Sequence, residues 1–185
     1  MKKYSIIYAD PPWGEYVRKN GRGTAEGHFN TLSLDELKRM KIKYLTTENS
    51  YLFLWVTFPL LQQGLDVIKS WGFIYKTIAF NWLKYNKNAN SFFFGIGKYT
   101  RSNSEICLLG IKGEPKVINH SISQVIVSEF TQHSSKPKII RRKIIDLCGD
   151  LPRIELFHRG GESVEGWDLW GNESDSLNTV NLDIL

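Results

Sequence analysis

Apolar positions in this chain fall into short runs separated by polar and glycine-rich stretches, and the runs alternate between strand-like and helix-like spacing. YSIIYA (4–9) is rich in β-branched and aromatic residues and stops at a proline pair, which predicts a buried strand ending at Asp10. YLFLWVT (51–57), FIYKTIAFNW (73–82), EICLLGIKG (105–113) and RIELF (153–157) predict four more strands. Three segments between them read as helices. Ser33-Leu34-Asp35-Glu36 is a capping box opening a short helix through about Met40. Pro59 suits the first turn of PLLQQGLDVIKSW, which Gly72 terminates in a left-handed conformation. KIIRRKIIDLC carries Ile139, Ile140, Ile144 and Ile145 before Gly149. Strand–helix alternation predicts an α/β domain with helices on both faces of a mostly parallel sheet.

Two polar stretches interrupt this pattern. Residues 14–31 hold four glycines without a sustained period, and KYNKNANSFFFGIGKYTRSNS (84–104) mixes lysines, asparagines and aromatics. Both read as functional loops, the second facing a substrate. Gly95-Ile96-Gly97 belongs to that loop, because it does not join a strand to a helix start as a nucleotide fingerprint would. With 185 residues, 42% of them hydrophobic, the chain suffices for one domain, assigned to 1–173, with a loosely held tail over 174–185. A net charge of +5 suits a polyanionic partner without demanding one. Cys107 and Cys148 lie far apart in apolar stretches, so buried thiols are expected rather than a disulfide or a metal site. The apolar run at the start is too short for a secretory signal or a membrane span, and a cytoplasmic location is expected.

Candidate chemistry concentrates at Asp10-Pro11-Pro12-Trp13. In an α/β sheet, ligands bind outside the carboxyl ends of the strands, where this tetrapeptide should lie. Two prolines restrict the orientation of the Asp10 carboxylate and the Pro11 carbonyl, giving two preorganised acceptors. An exocyclic amine on a nucleobase offers two N–H donors to such a pair, and Trp13 can stack on the base. Taken alone, Asp-Pro-Pro is equally well a turn and the tryptophan a core residue.

The ordered set DPPW (10–13), LSLDEL with YLFLWVT, GKYTRSNSEICLLGIKG, HSSKPK (133–138), RIELFHR and WDLWGNE resembles the adenine amino-methyltransferase family. That family includes the catalytic subunit of the eukaryotic messenger-RNA adenosine methylase and related bacterial and phage DNA enzymes. The resemblance spans roughly residues 4 to 173. It implies a Rossmann-like fold, with an antiparallel strand in a mostly parallel sheet. It also implies methyl transfer from S-adenosyl-L-methionine to the exocyclic amine of adenine. Asp10, Pro11, Pro12 and Trp13 match the catalytic motif. Lys136 matches a lysine that holds the cofactor's carboxylate, although a lysine of its type is by itself usually a solvated cation. Phe157, Arg159, Asn172 and Glu173 match segments around the cofactor and its ribose, with Asp10 beside them. Glu173 stands where the family often has glutamine, and a carboxylate accepts from hydroxyls but cannot donate. Gly160-Gly161-Glu162 replaces a histidine-asparagine pair.

For the substrate, the resemblance points to His28, and to Arg101, Asn103 and Glu105 in a polar segment on the catalytic face. Arg18, Lys19 and Arg22 in the first loop, and Lys84, Lys87, Lys98 and Arg101 in the second, are candidates for phosphate contacts. His120 and His158 read as structural or exposed. DNA is placed ahead of RNA as substrate, and a non-catalytic scaffold is the alternative from another class. No separate recognition module is visible, so a homodimer or a partner subunit is expected.

Overall fold

The computed structural model describes residues 2–14, 31–129, 136–160, 162–171 and 180. Among the described residues, eight strands form one sheet: β1 (Tyr4–Ala9), β2 (Thr46–Val56), β3 (Ile74–Asn86), β4 (Ser91–Phe92), β5 (Ser104–Lys112), β6 (Val125–Glu129), β7 (Arg153–Leu156) and β8 (Asp168–Trp170). Their order is β4-β3-β5-β2-β1-β7-β8, with β6 also pairing with β3. The pairings β1–β2, β1–β7, β7–β8 and β3–β6 are parallel, whereas β2–β5, β3–β5 and β3–β4 are antiparallel. Six strands therefore share one direction, and β5 and the two-residue β4 oppose them.

The sequence anticipates five of these strands, two of them too short. β2 begins at Thr46 and β3 runs on to Asn86, because cross-strand backbone partners continue past the apolar core of each run. β6 and β8 lack a sequence signal of their own. One is five half-exposed residues and the other three, and each exists by parallel pairing to a longer strand.

Helices lie on both faces. The helix α1 (Leu34–Arg39) starts at the Ser33 capping box, in which the Ser33 Oγ accepts from the Glu36 N–H and the Glu36 carboxylate accepts from the Ser33 N–H. The helix α2 (Leu61–Ser70) follows a 3-10 turn over Phe58–Leu60 that contains Pro59, and Gly72 beyond it has φ +85°. Both cover the face that carries Ile7, Ala9, Leu52, Leu54, Ile106 and Leu108. The opposite face carries Ile6, Tyr8, Phe53, Trp55 and Cys107, and the helix α3 (Ile139–Cys148) covers it with Ile140, Ile144 and Cys148. Strand side chains alternate between the faces, so the continuous apolar runs of β1 and β2 supply both cores. Four of the six tryptophans are buried, each large aromatic contributing about 1.5–3 kcal/mol relative to exposure. Both cysteines are buried thiols. No helix among the described residues is long and apolar enough to cross a membrane.

Candidate active site

β1 ends at Ala9, so the carboxylate of Asp10 emerges at the carboxyl end of a central strand. Backbone hydrogen bonds hold the following residues: the Leu32 N–H donates to the Pro12 carbonyl (2.8 Å) and the Gly14 N–H to the Leu32 carbonyl (2.8 Å). The Trp13 indole N–H donates to the Trp55 carbonyl (3.1 Å) while its half-buried ring packs against the core under α1 and α2. Trp13 is thus a wall element whose plane is set by the last turnings of β2. The Pro11 carbonyl already accepts from the Trp13 N–H at 3.0 Å, so only its second lone pair is available to a ligand.

Behind Asp10 lies a chain of four alternating charges. Lys136 Nζ is 2.8 Å from Asp10 Oδ2 and 3.2 Å from Glu105 Oε2, and Lys84 donates to the other Glu105 oxygen. The Lys136 ammonium also sits 5.5 Å over the Trp55 ring, and that of Lys84 lies 5.0 Å over Trp82, so each ammonium has an indole face beside it. The Lys136 and Glu105 side chains are 11% and 16% exposed, whereas Asp10 keeps 26%. Glu105 reaches this point because β5 runs against its neighbours: its first residues lie beside the carboxyl ends of β2 and β3, with Val56 opposite Ile106 and Trp82 opposite Glu105.

Sharing one ammonium does not affect the two acids equally. Burial pushes the Glu105 carboxyl up, but Lys136 and Lys84 together hold it below its ordinary value. Asp10 has only a share of Lys136, and burial, with the Glu105 charge adding to it, keeps its carboxyl above the ordinary 3.8. Burial would lower Lys136, yet the two carboxylates raise it, so this ammonium is charged.

A profile of the MT-A70 family matches residues 4–173. The chain belongs to the MT-A70 family. The "Type II methyltransferase M.MunI" of a Mycoplasma species is 33% identical over 191 residues, covering 93% of this chain and 78% of that protein. The human "N(6)-adenosine-methyltransferase catalytic subunit METTL3" is 30% identical over 187 residues, covering all of this chain but 30% of that one. An Arabidopsis thaliana "N(6)-adenosine-methyltransferase MT-A70-like" protein is 28% identical over 180 residues. This MT-A70 chain therefore spans most of its bacterial relative and under a third of the human one.

Phe157 and Arg159, two of the residues matched to the family motifs, lie just beyond the end of β7. Phe157 has φ +62°, a conformation costly for a bulky L-residue, and its ring meets Trp170 edge to face at 5.5 Å. Arg159, two residues further on, favours the ionised form of Asp10 electrostatically. Gly171 ends β8 where any Cβ would collide with the His158 backbone, which keeps the ends of β7 and β8 in contact. His158 is buried, with Nδ1 3.1 Å from the Glu155 carboxylate that Arg141 grips through two nitrogens at 2.6 and 2.8 Å. The structural role read for His158 is what its contacts show, and His120 is exposed.

Of the remaining candidates, Asn103 donates to the Phe93 carbonyl at 2.6 Å and so positions the second loop. Lys98 and Arg101 are exposed on that loop, each cation lying over a neighbouring ring, Tyr99 and Phe94 respectively. Arg18, Lys19, Arg22, His28, His133, Asn172 and Glu173 lie outside the described residues, as does the tail apart from Val180. Two participants escaped sequence reasoning. Trp55 supplies both a carbonyl to Trp13 and a ring to Lys136, and Lys84, read as a phosphate contact, instead belongs to the charge chain. Their one sequence signal is their place at or near the carboxyl end of a strand.

Proposed function

We propose that this MT-A70 protein transfers a methyl group from S-adenosyl-L-methionine to the exocyclic amine of adenine in DNA, on a Rossmann-like methyltransferase fold. The observation that carries the proposal is the contact between Lys136 and Asp10 at the carboxyl end of β1, where a cation and a partly exposed carboxylate meet. Such a pair fits the carboxylate and ammonium of an amino-acid moiety, so the donor set suits this cofactor. Lys136 would hold the carboxylate, with Phe157, Arg159, Asn172 and Glu173 assigned around the rest. The bound cofactor supplies an electrophilic methyl group on a sulfonium.

The chain's own part is positioning. Asp10 accepts one N–H of the target amine and the free lone pair of the Pro11 carbonyl accepts the other, which favours a tetrahedral nitrogen with its lone pair directed at the methyl group. Trp13, held by the Trp55 carbonyl, offers a fixed plane to a base turned out of its stack. An aromatic amine is barely basic, so its proton leaves to solvent water only after transfer has made the nitrogen cationic. Asp10 therefore acts as an acceptor rather than as a strong base.

DNA stands ahead of RNA because similarity to the type II methyltransferase covers 78% of that protein. RNA adenosine is the second reading, favoured by the name of the METTL3 relatives. A scaffold role is disfavoured by the retention of Asp10 and Lys136 in direct contact. The test is methyl transfer to matched DNA and RNA oligonucleotides, with N6-methyladenine read by mass spectrometry. Transfer to DNA in excess of RNA is expected, the reverse ratio would select the RNA reading, and transfer to neither would overturn the proposal.

A further inference from the structure

Three consecutive phenylalanines in the second loop divide between two tasks. Phe93 turns inward: its N–H donates to the Lys84 carbonyl at 2.8 Å, its carbonyl accepts from Asn103, and its ring lies 6.0 Å from the Lys84 ammonium of the charge chain. Phe92 and Phe94 point outward, 51% and 72% exposed. The chain then turns so tightly that side chains are excluded. Gly95 pairs with Ser102, and a Cβ on it would meet the Ser102 carbonyl at 2.7 Å and the Phe93 ring at 2.9 Å, while one on Gly97 would strike the Thr100 carbonyl. This closure sets Ile96 and Tyr99 at the tip, 77% and 89% exposed. So much apolar surface on a tightly built arm marks a partner.

Charge identifies the partner. Between residues 86 and 104 the chain carries Lys87, Lys98 and Arg101 and no acid. Lys87 pairs with Glu129, whereas Lys98 lies 5.2 Å over the Tyr99 ring and Arg101 5.4 Å over Phe94. A second copy docked with this acid-free arm against its own counterpart would bring Lys98 and Arg101 near the partner arm's cations with no acid of the arm to offset them. A nucleic-acid strand complements both features, with phosphates for the cations and base faces for the rings. Because a duplex keeps its base faces stacked on one another, only unpaired nucleotides satisfy the rings.

We infer that the arm over 91–102 is a stacking platform for the unpaired nucleotides flanking the target adenine, with Phe94 and Tyr99 as its rings. The inference rests on the nucleic-acid reading above and adds to it a requirement for single-stranded substrate at this surface.

The experiment measures fluorescence anisotropy of a fluorescein-labelled thymidine-rich DNA strand with one central adenine, its RNA counterpart, and the same DNA annealed to its complement. The wild-type chain should prefer the unpaired strands. Phe94→Ala and Tyr99→Ala should each weaken single-strand binding about 10-fold, in the DNA series, the RNA series or both, with smaller losses on duplex and recovery in Tyr99→Trp. Both rings are exposed, and an unchanged melting curve confirms folding. Unchanged single-strand affinity, or equal losses on duplex, would overturn the platform. A drop in particle mass from dimer to monomer without loss of single-strand affinity would also overturn it, and would assign the arm to self-association. Methyl transfer by wild type is read on the same strands. Transfer with unaltered ring variants removes the platform alone, whereas absent transfer with weakened ring variants removes the methyltransferase reading and leaves the platform.

Discussion

Two buried ionic clusters lie at different places on the same sheet, and they are built from different cations. Beside β7, Glu155 is gripped in a two-point fork by Arg141 and touched by His158. At the end of β1, Lys136 is shared between Asp10 and Glu105, with Lys84 behind. A guanidinium fork fixes its carboxylate in one geometry, whereas an ammonium is a point charge on a flexible stem that can exchange partners. The difference also appears in acidity. Although burial pushes Glu155 up, the His158 and Arg141 hydrogen bonds hold it below its ordinary value, while Asp10 is left above its own. A locked pair stabilises the fold, and a shared, imperfectly neutralised carboxylate is available to a ligand.

The largest effect that would break this comparison is chemical. Asp10→Ala is expected to reduce the single-turnover rate of methyl transfer by about 10³-fold or more while the protein stays folded, since an acceptor aimed at the reacting group acts mainly at the transition state. A rate within a few-fold of wild type would remove Asp10 from the reaction. Arg141→Ala should do the reverse. Leaving the Glu155 charge buried beside His158 alone should cost about 3–5 kcal/mol of stability, read as a lowered urea midpoint. If activity per folded molecule fell instead of stability, the β7 cluster would be functional rather than structural.

Lys136→Ala should raise the S-adenosyl-L-methionine dissociation constant by roughly 10- to 100-fold, with activity partly recovered at high cofactor, because a charge-assisted contact contributes about 1.5–3 kcal/mol. Calorimetry finding unchanged affinity would leave Lys136 a purely internal partner of Asp10.

The smallest effect is in pH dependence. Glu155 and Glu105 have lowered folded values, so their stabilisation is present above the ordinary 4.5 and is lost as pH falls through those folded values. Asp10, raised above 3.8, works oppositely: it opposes folding as pH rises through that window, and its loss of charge on acidification sets the acid limb of the rate. In Glu105→Gln the like charge disappears and Lys136 turns wholly to Asp10. The acid limb of the remaining rate should then move to lower pH, and a limb that stays in place would show that Glu105 does not act on Asp10.

Residue pattern made the central elements legible. The runs at 4–9, 51–57 and 105–113 are long, apolar and bounded by prolines, glycines or polar clusters, so their signals survive without tertiary context. The same holds for the Ser33 capping box and for α3. β6 and β8 were invisible for the opposite reason, since three to five residues carry too little periodicity and a parallel partner makes them strands. At the site, Asp10, Trp13, Lys136 and Glu105 could each be singled out from motifs, yet Trp55 and the true partner of Lys84 could not.

Local chemistry along the chain thus determined five of the strands and the three helices, that Asp10 leaves β1 at its carboxyl end, and which family the protein belongs to, because those properties depend on neighbours within a few residues or on ordered motifs. Tertiary structure alone decided that β5 runs against its neighbours and that Lys136, some 126 positions from Asp10, divides its charge between Asp10 and Glu105. Strand direction and charge pairing are settled by packing between segments distant in sequence, where electrostatic energy depends on separation in space and on burial rather than on order along the chain.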